Sequence, residues 1–397
     1  MARCIFCENE LTSETAPEHV LLNALGGRMT TRNAICTQHN NIFGSTIDKA
    51  LAGQLDVVRN YLQLRSGTRK APPALKNVAA GSEIISISSD GKPHLEVPPF
   101  TTVDLPDGRV EVSLMVTEDR LHEVLPHLAA KLKIPLDELK KQIMTGPAAI
   151  IERRPQTIGH QLSFGGADAL RSITKSCLVL LATRVGSDLL KGSAYEAARE
   201  FVLDGSDNFN KSQCYMDPRE LPCANGLMAQ YDDLFNLIYV KSDGGGRTIG
   251  HFTLYNMVSW QVVLAEDAGV REAEIALISD PLSGKWSSHL AESYSVDFTW
   301  LNTLHKGDVT ARGRTRMEAI ADRYFANGHE QEINRIVDDV CQKHGFLNDD
   351  DPIPAHKLNE IKMEISARIA AHAAGAPFED KLTPERLRKL LRLPDAT

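Results

Sequence analysis

Cys4-Ile5-Phe6-Cys7 and Cys36-Thr37-Gln38-His39 repeat one two-residue spacing within the first 39 residues, and no other feature restricts the fold so much. That spacing lets both side chains of a knuckle reach one tetrahedral ion, so Cys4, Cys7, Cys36 and His39 together make a closed structural zinc site. A short, loop-rich segment has too little apolar surface for a core of its own, and a metal crosslink supplies what burial cannot. The competing reading, that the three cysteines are merely buried thiols, leaves the folding of this segment unexplained. Cys177, Cys214, Cys223 and Cys341 have no ligand-pair spacing and read as small core or surface residues.

At 397 residues the chain is longer than one core usually spans, and its 42% hydrophobic and 24% charged content is that of packed globular domains. The apolar stretch Leu178 to Ala182 is flanked by Arg171, Lys175 and Arg184, too short a run for a membrane span. No apolar leader follows Met1-Ala2-Arg3-Cys4, so a cytoplasmic protein with reduced thiols is expected. The net charge of −8 is unevenly spread. Residues 1–77 hold nine Lys/Arg against six acids, a balance of +3, and the remainder holds thirty-five against forty-six, a balance of −11. A basic end on an acidic body suits phosphate contact confined to that end. Arg28 and Arg32 are the first candidates for it, ahead of Arg59, Arg65 and Arg69, although solvated charge is the default for each.

Between the ligand pairs lie Pro17-Glu18-His19-Val20, then Gly26-Gly27, then Thr31-Arg32-Asn33, and Asn40, Asn41 and Asp48 follow the second pair. This order resembles the HNH endonucleases of the ββα-metal (His-Me finger) superfamily, in the zinc-binding subgroup with Asn in the last motif position. The resemblance covers about residues 4–52. It implies a metal-dependent endonuclease that hydrolyses phosphodiester bonds, with DNA as substrate and RNA left open as an alternative. In that reading His19 is the general base, since a neutral imidazole can take a proton from the attacking water. Glu18 and Asn40 would supply hard oxygen ligands to one catalytic Mg²⁺ or Mn²⁺. Asn33 would hydrogen-bond the backbone and hold the loop that carries the base.

Two departures bear on that reading. Glu18 stands where the superfamily more often has Asp, and His39 stands where most zinc-bearing relatives have a fourth Cys. His39 could instead serve the catalytic ion, and Asn41 could exchange with Asn40 if the helix begins one residue later. Neighbours on a strand point to opposite faces, so the convergence of Glu18 and His19 rests on the resemblance and not on spacing. The reading from a different class is a non-catalytic zinc module that binds nucleic acid or protein. Glu18-His19 discriminates the two, because a binding module has no need of a base at that place.

Residues 1–66 are therefore expected as the zinc-pinned module and 67–78 as a Pro/Gly/Lys-rich linker. A mixed α+β region over 79–310 and a helical region over 311–397 complete an α+β protein. The module's last helix should bury Ile42, Ile47, Leu51 and Leu55. Runs at 84–87 and 110–114, with the turn pairs Asp90-Gly91 and Asp107-Gly108, suggest one small antiparallel sheet. Helical periodicity runs from Glu118 to Ile143 and from Ala169 to Leu190, and the runs 234–240 and 249–264 suggest a hairpin. Gly244-Gly245-Gly246 lacks the Lys-Ser/Thr of a phosphate loop, and His329-Glu330 lacks the second histidine of a zinc-protease helix. The region beyond residue 78 would be a platform for a regulatory protein or small-molecule activator, as in bacterial restriction or anti-phage effectors, by analogy alone. The sequence leaves the oligomeric state undetermined.

Overall fold

The computed structural model describes residues 2–117, 120–152, 158–288, 294–305, 307–346 and 353–394. The protein is α+β, and its contacts divide it into two compact units. One comprises Met1–Leu75, Ile87–Lys92 and His160–Phe325, and the other Lys76–Ser86, Pro93–Gly159 and Ala326–Thr397.

The centre of the first unit is a six-stranded antiparallel sheet in the order Trp286–Ser287, Glu274–Ser279, Asn236–Ser242, Thr248–Leu254, Val258–Ala265, Cys214–Met216. Helix Ala167–Val185 lies on one face, where Ile173, Cys177 and Leu181 share a core with Ile238, Val240, Phe252, Leu254, Val262 and Leu264. The opposite face buries Leu237, Tyr239, Ile249 and Ile278 with Leu227 and Leu301. With apolar side chains on both faces, these strands read as continuous hydrophobic runs instead of alternating ones. The expected strand at 249–264 is therefore two strands. They are joined by a tight turn with positive φ at Tyr255 (47°) and Asn256 (51°), held where the Tyr255 N–H donates to Asn236 Oδ1 at 2.9 Å. Asn suits such a position and Tyr does not, so only tertiary contacts reveal the break.

The motif segment is part of this unit and not a free-standing head. Ile5, Val20, Leu21, Phe43, Ile47, Leu51 and Leu55 belong to the same core as the sheet and helix Ala167–Val185. Asn236 Nδ2 donates to the Leu25 carbonyl, and the Gln54 side chain both donates to and accepts from the Gly165 backbone. The expected single helix is three, Thr37–Ser45, Ile47–Gly53 and Asp56–Tyr61, and Ile42, placed on the buried face by periodicity, is 45% exposed. Residues 67–75 are tied to the unit as well, with the Thr68 N–H donating to Asn23 Oδ1 and Asn60 Nδ2 to the Pro73 carbonyl. The observed division thus cuts across the boundaries at 66, 78 and 310, because the module shares its core with residues far along the chain.

The sheet also buries a charged cluster. His251 is fully buried near Asp217, Arg219 and Arg312, and its Nε2 lies 3.1 Å from Thr253 Oγ1. Burial first, then the two arginines, bring its pKa down to about 4 against the pull of Asp217. An unfolded histidine takes up a proton near pH 6.5, whereas the folded one stays neutral until about 4, so stability is lost as the pH falls between those values. The loss should reach about 3 kcal/mol by pH 4. Urea melts at pH 7 and 4.5 should show it in the wild type and a flatter dependence in His251→Gln; equal slopes would refute the assignment.

Strands Leu75–Ala80, Glu83–Ile87 and Pro93–Leu95, which apart from Leu75 and Ile87 belong to the second unit, form one sheet, and Phe100–Asp104 with Val110–Leu114 forms a separate hairpin. The turns at Asp90-Gly91 and Asp107-Gly108 do close strand pairs, but in two sheets instead of one. Of the expected helix 118–143, Glu118 and Asp119 lie outside the described residues. The rest forms Leu121–Leu132 and Leu136–Thr145, broken where Lys133 turns left-handed (φ 57°) before Ile134-Pro135. Leu125, Leu128, Leu139, Leu387 and Leu391 pack together, and Ala149–Glu152 pairs with Phe378–Lys381. The C-terminal region is helical, through the end of Val309–Lys343, Ala355–Ala374 and Pro384–Leu390. No helix among the described residues is long and apolar enough to cross a membrane.

Candidate active site

Cys4 and Cys7 sit in the first turn of the chain, and Cys36 caps helix Thr37–Ser45, whose first turn carries His39. Their ligand atoms all lie within 4.8 Å of one another. Cys7 Sγ to Cys36 Sγ is 3.8 Å, Cys36 Sγ to His39 Nδ1 is 3.4 Å and Cys4 Sγ to His39 Nδ1 is 3.6 Å. Tetrahedral zinc with ordinary bond lengths puts sulfurs about 3.8 Å apart and sulfur and nitrogen about 3.5 Å apart. The spacing and donor set thus suit a zinc ion on Cys4, Cys7, Cys36 and His39. The Phe6 N–H donates to Cys4 Sγ and Asn9 Nδ2 to Cys36 Sγ, the outer bonds that orient thiolate ligands. His39 is wedged between Phe43, stacked at 5.5 Å, and Phe6, and burial keeps its imidazole neutral. Burial pushes the Cys4 thiol up to about 12, so this buried sulfur depends on a cation for its thiolate form.

Glu18–His19 is a two-residue strand paired antiparallel with Thr30–Thr31, Glu18 facing Thr31 and His19 facing Thr30. The turn between them is very tight. A Cβ on Gly27 would lie 1.8 Å from the Leu21 carbonyl oxygen, whereas one on Gly44 would meet nothing within 4 Å. Gly27→Ala should therefore cost about 2–3 kcal/mol, and Gly44→Ala should stay near neutral or gain slightly because it sits in a helix. Thermal melts of the two variants check the contrast, and equal melting temperatures would refute the turn geometry.

Of the two residues of the dipeptide Glu18 is the more deeply buried, and both feel the charges of Lys175 and Asp48. His19 is half-buried, and burial first, then the nearby Lys175 ammonium, lower its pKa against the pull of Asp48. Glu18 points inward, with its side chain 5% exposed. Lys175, on helix Ala167–Val185 and fully buried, donates to Glu18 Oε1 at 2.6 Å and to Asp48 Oδ2 at 2.6 Å. Ser172, one turn earlier, donates to Asp48 Oδ1 at 2.6 Å. Burial pushes the Glu18 carboxyl up, with Asp48 adding to the shift and Lys175 opposing it. For Lys175 burial works against the charge, but Asp48 and Glu18 outweigh it and hold the ammonium protonated. Sequence reasoning missed Lys175, which it took as one of the charges flanking an apolar stretch.

Asn40 Nδ2 donates to the Pro17 carbonyl at 3.1 Å, immediately before the dipeptide. The backbone tether expected of Asn33 is thus seen from Asn40. Asn33 is exposed, and its own N–H donates to Thr31 Oγ1. A divalent ion on Glu18 does not find a prepared place, because the carboxylate is buried and already answered by Lys175. Asn41 is exposed. Arg32 is exposed, with its guanidinium donating to the Thr15 carbonyl, and it lines a surface cleft with Thr12, Ser13, Thr30 and Asn33. Arg28 is turned against Gly284 and its Nε is buried, so of the two expected phosphate contacts Arg32 is the accessible one.

Residues 4–56 match the family model described as HNH endonuclease. No curated protein and no solved structure matches the chain.

Proposed function

Taking residues 4–56 as an HNH endonuclease module, we propose that the protein is an endonuclease that hydrolyses phosphodiester bonds, with DNA as its substrate. The observation that carries this reading is the half-buried His19, whose lowered pKa leaves its imidazole neutral, beside Pro17, which Asn40 ties to the helix that also bears His39 of the Cys4/Cys7/Cys36/His39 cluster. In this reading His19 takes the proton from a water in line with the scissile P–O bond. The zinc cluster plays no chemical part and fixes the strand and helix on either side of the base. Asn40 holds Pro17 and thereby the approach to the dipeptide, and Arg32 is placed to meet a backbone phosphate. Asn33, at the rim of the same cleft, is a contact for the bound strand.

Mg²⁺ or Mn²⁺ would supply charge opposite the developing phosphate dianion. Glu18, held by Lys175, offers it no ready site in the resting fold. A restriction or anti-phage role in the cytoplasm, with the second unit receiving a protein or small-molecule signal, extends the reading by analogy. The Glu18–Lys175 ion pair favours a second reading, a zinc module that binds nucleic acid without cutting it.

Plasmid cleavage by the purified protein with Mg²⁺, Mn²⁺ or EDTA, with bound zinc counted, decides between them. Nicking or linearisation by zinc-loaded wild type, lost in His19→Ala with zinc retained, is the expected result. Intact plasmid from folded, zinc-loaded wild type under every metal would overturn the nuclease reading in favour of the binding module.

A further inference from the structure

The acid of an acid-His dipeptide is the natural place to look for a metal ion, yet Glu18 and Asp48 meet around a side chain 127 residues beyond Asp48. Three of their four carboxylate oxygens hold protein donors: Glu18 Oε1 and Asp48 Oδ2 accept from Lys175 Nζ, and Asp48 Oδ1 accepts from Ser172 Oγ. The lysine side chain is 0% exposed, Glu18 5% and Asp48 15%. A divalent ion needs several oxygen ligands and, for Mg²⁺ or Mn²⁺, usually bound waters as well. It could enter only if the ammonium left, because two positive centres cannot share a buried space next to the same two carboxylates.

We infer that the Lys175 ammonium occupies the cation position between Glu18 and Asp48, so that helix Ala167–Val185 supplies from outside the motif the charge that a divalent ion would otherwise bring to Glu18. Lys175 is a positioning residue. It anchors Glu18, and with it the adjoining His19, to the helix that also carries Ser172. This rests on reading Glu18-His19 as the acid-His dipeptide of the motif and names the cation held there, and it holds whether or not the module cuts.

Mn²⁺ titration followed by electron paramagnetic resonance, on full-length zinc-loaded protein, tests it. Wild type and Glu18→Gln should give the same Mn²⁺ isotherm. Lys175→Met, which leaves two uncompensated carboxylates, should gain a Mn²⁺ site at least about tenfold tighter than anything in the wild type, and Glu18→Gln/Lys175→Met should lose it. A wild-type Mn²⁺ site that Glu18→Gln removes would overturn the inference, as would a folded Lys175→Met that binds no more Mn²⁺ than wild type. Should Lys175→Met not fold, the comparison of wild type with Glu18→Gln decides alone, identical isotherms supporting the inference and a difference overturning it. Because no readout here depends on cleavage, an inactive protein with the expected Mn²⁺ pattern would sink the nuclease reading and leave the Lys175 assignment standing.

Discussion

Cys36→Ser, or removal of bound metal by a strong chelator, should unfold the motif segment and abolish any cleavage. Zinc contributes on the order of 10 kcal/mol in comparable small sites, more than the whole margin of stability of most domains. Cys36 touches Cys7 and His39, so its loss removes a ligand that faces two of the others, while the serine still suits the helix start. The unfolding should spread, because Ile5, Phe43 and Leu51 lie in the core that also contains helix Ala167–Val185 and the sheet. Hydrogen exchange of apo and zinc-loaded protein reads the result. Fast exchange through residues 4–56 and partial loosening of helix Ala167–Val185 are expected. Unchanged protection without metal would show that the four side chains are ordinary core residues.

His19→Ala should lower cleavage by about 10²–10⁴-fold with zinc content and melting temperature nearly unchanged, since general-base catalysis is worth that much and the side chain is only half-buried. The pH dependence follows from the same surroundings. Burial and the Lys175 ammonium lower the His19 pKa below 6.5, and a base acts only when neutral. The rate should therefore hold as the pH falls below 6.5 and drop only at the lower folded value. Single-turnover cleavage from pH 5 to 8 measures this. An acid limb above 6.5 would mean that another group titrates, and full activity in His19→Ala would remove it from the chemistry.

How far the fold and site could be read in advance depended on the range of the interactions. Cys4, Cys7, Cys36 and His39 were legible because metal geometry imposes a short spacing within each pair, and the structure brings the four ligand atoms together. The expected helix from Ala169 to Leu190 was legible through Val185 because its apolar residues recur every three or four positions, but it stops at Gly186 and Leu190 falls in a separate 3-10 turn. Lys175 was not, since a lysine beside an apolar run is solvated by default, and nothing local announces two carboxylates 157 and 127 residues earlier in the chain. The backbone tether made by Asn40 instead of Asn33 was equally hidden. Both are short amides near the dipeptide, and only the path of the backbone decides which one reaches Pro17. The run 249–264 hid its turn because Tyr255 is a poor residue for a left-handed position and Asn236, thirteen residues before the run, holds it there.

The order of these partners along the chain also sets a timetable for synthesis. Glu18 and Asp48 leave the ribosome well before Lys175, by 127 residues for the later of the two. At about 5–20 residues per second that is an interval on the order of ten seconds. In that interval the zinc ligands are complete, but the helix that clasps the two acids has not been made. The carboxylates face water alone, and the motif segment takes its final form only after nearly half the polypeptide has emerged. A motif segment built this way lacks its buried ion pair until the rest of the first unit is there to supply it.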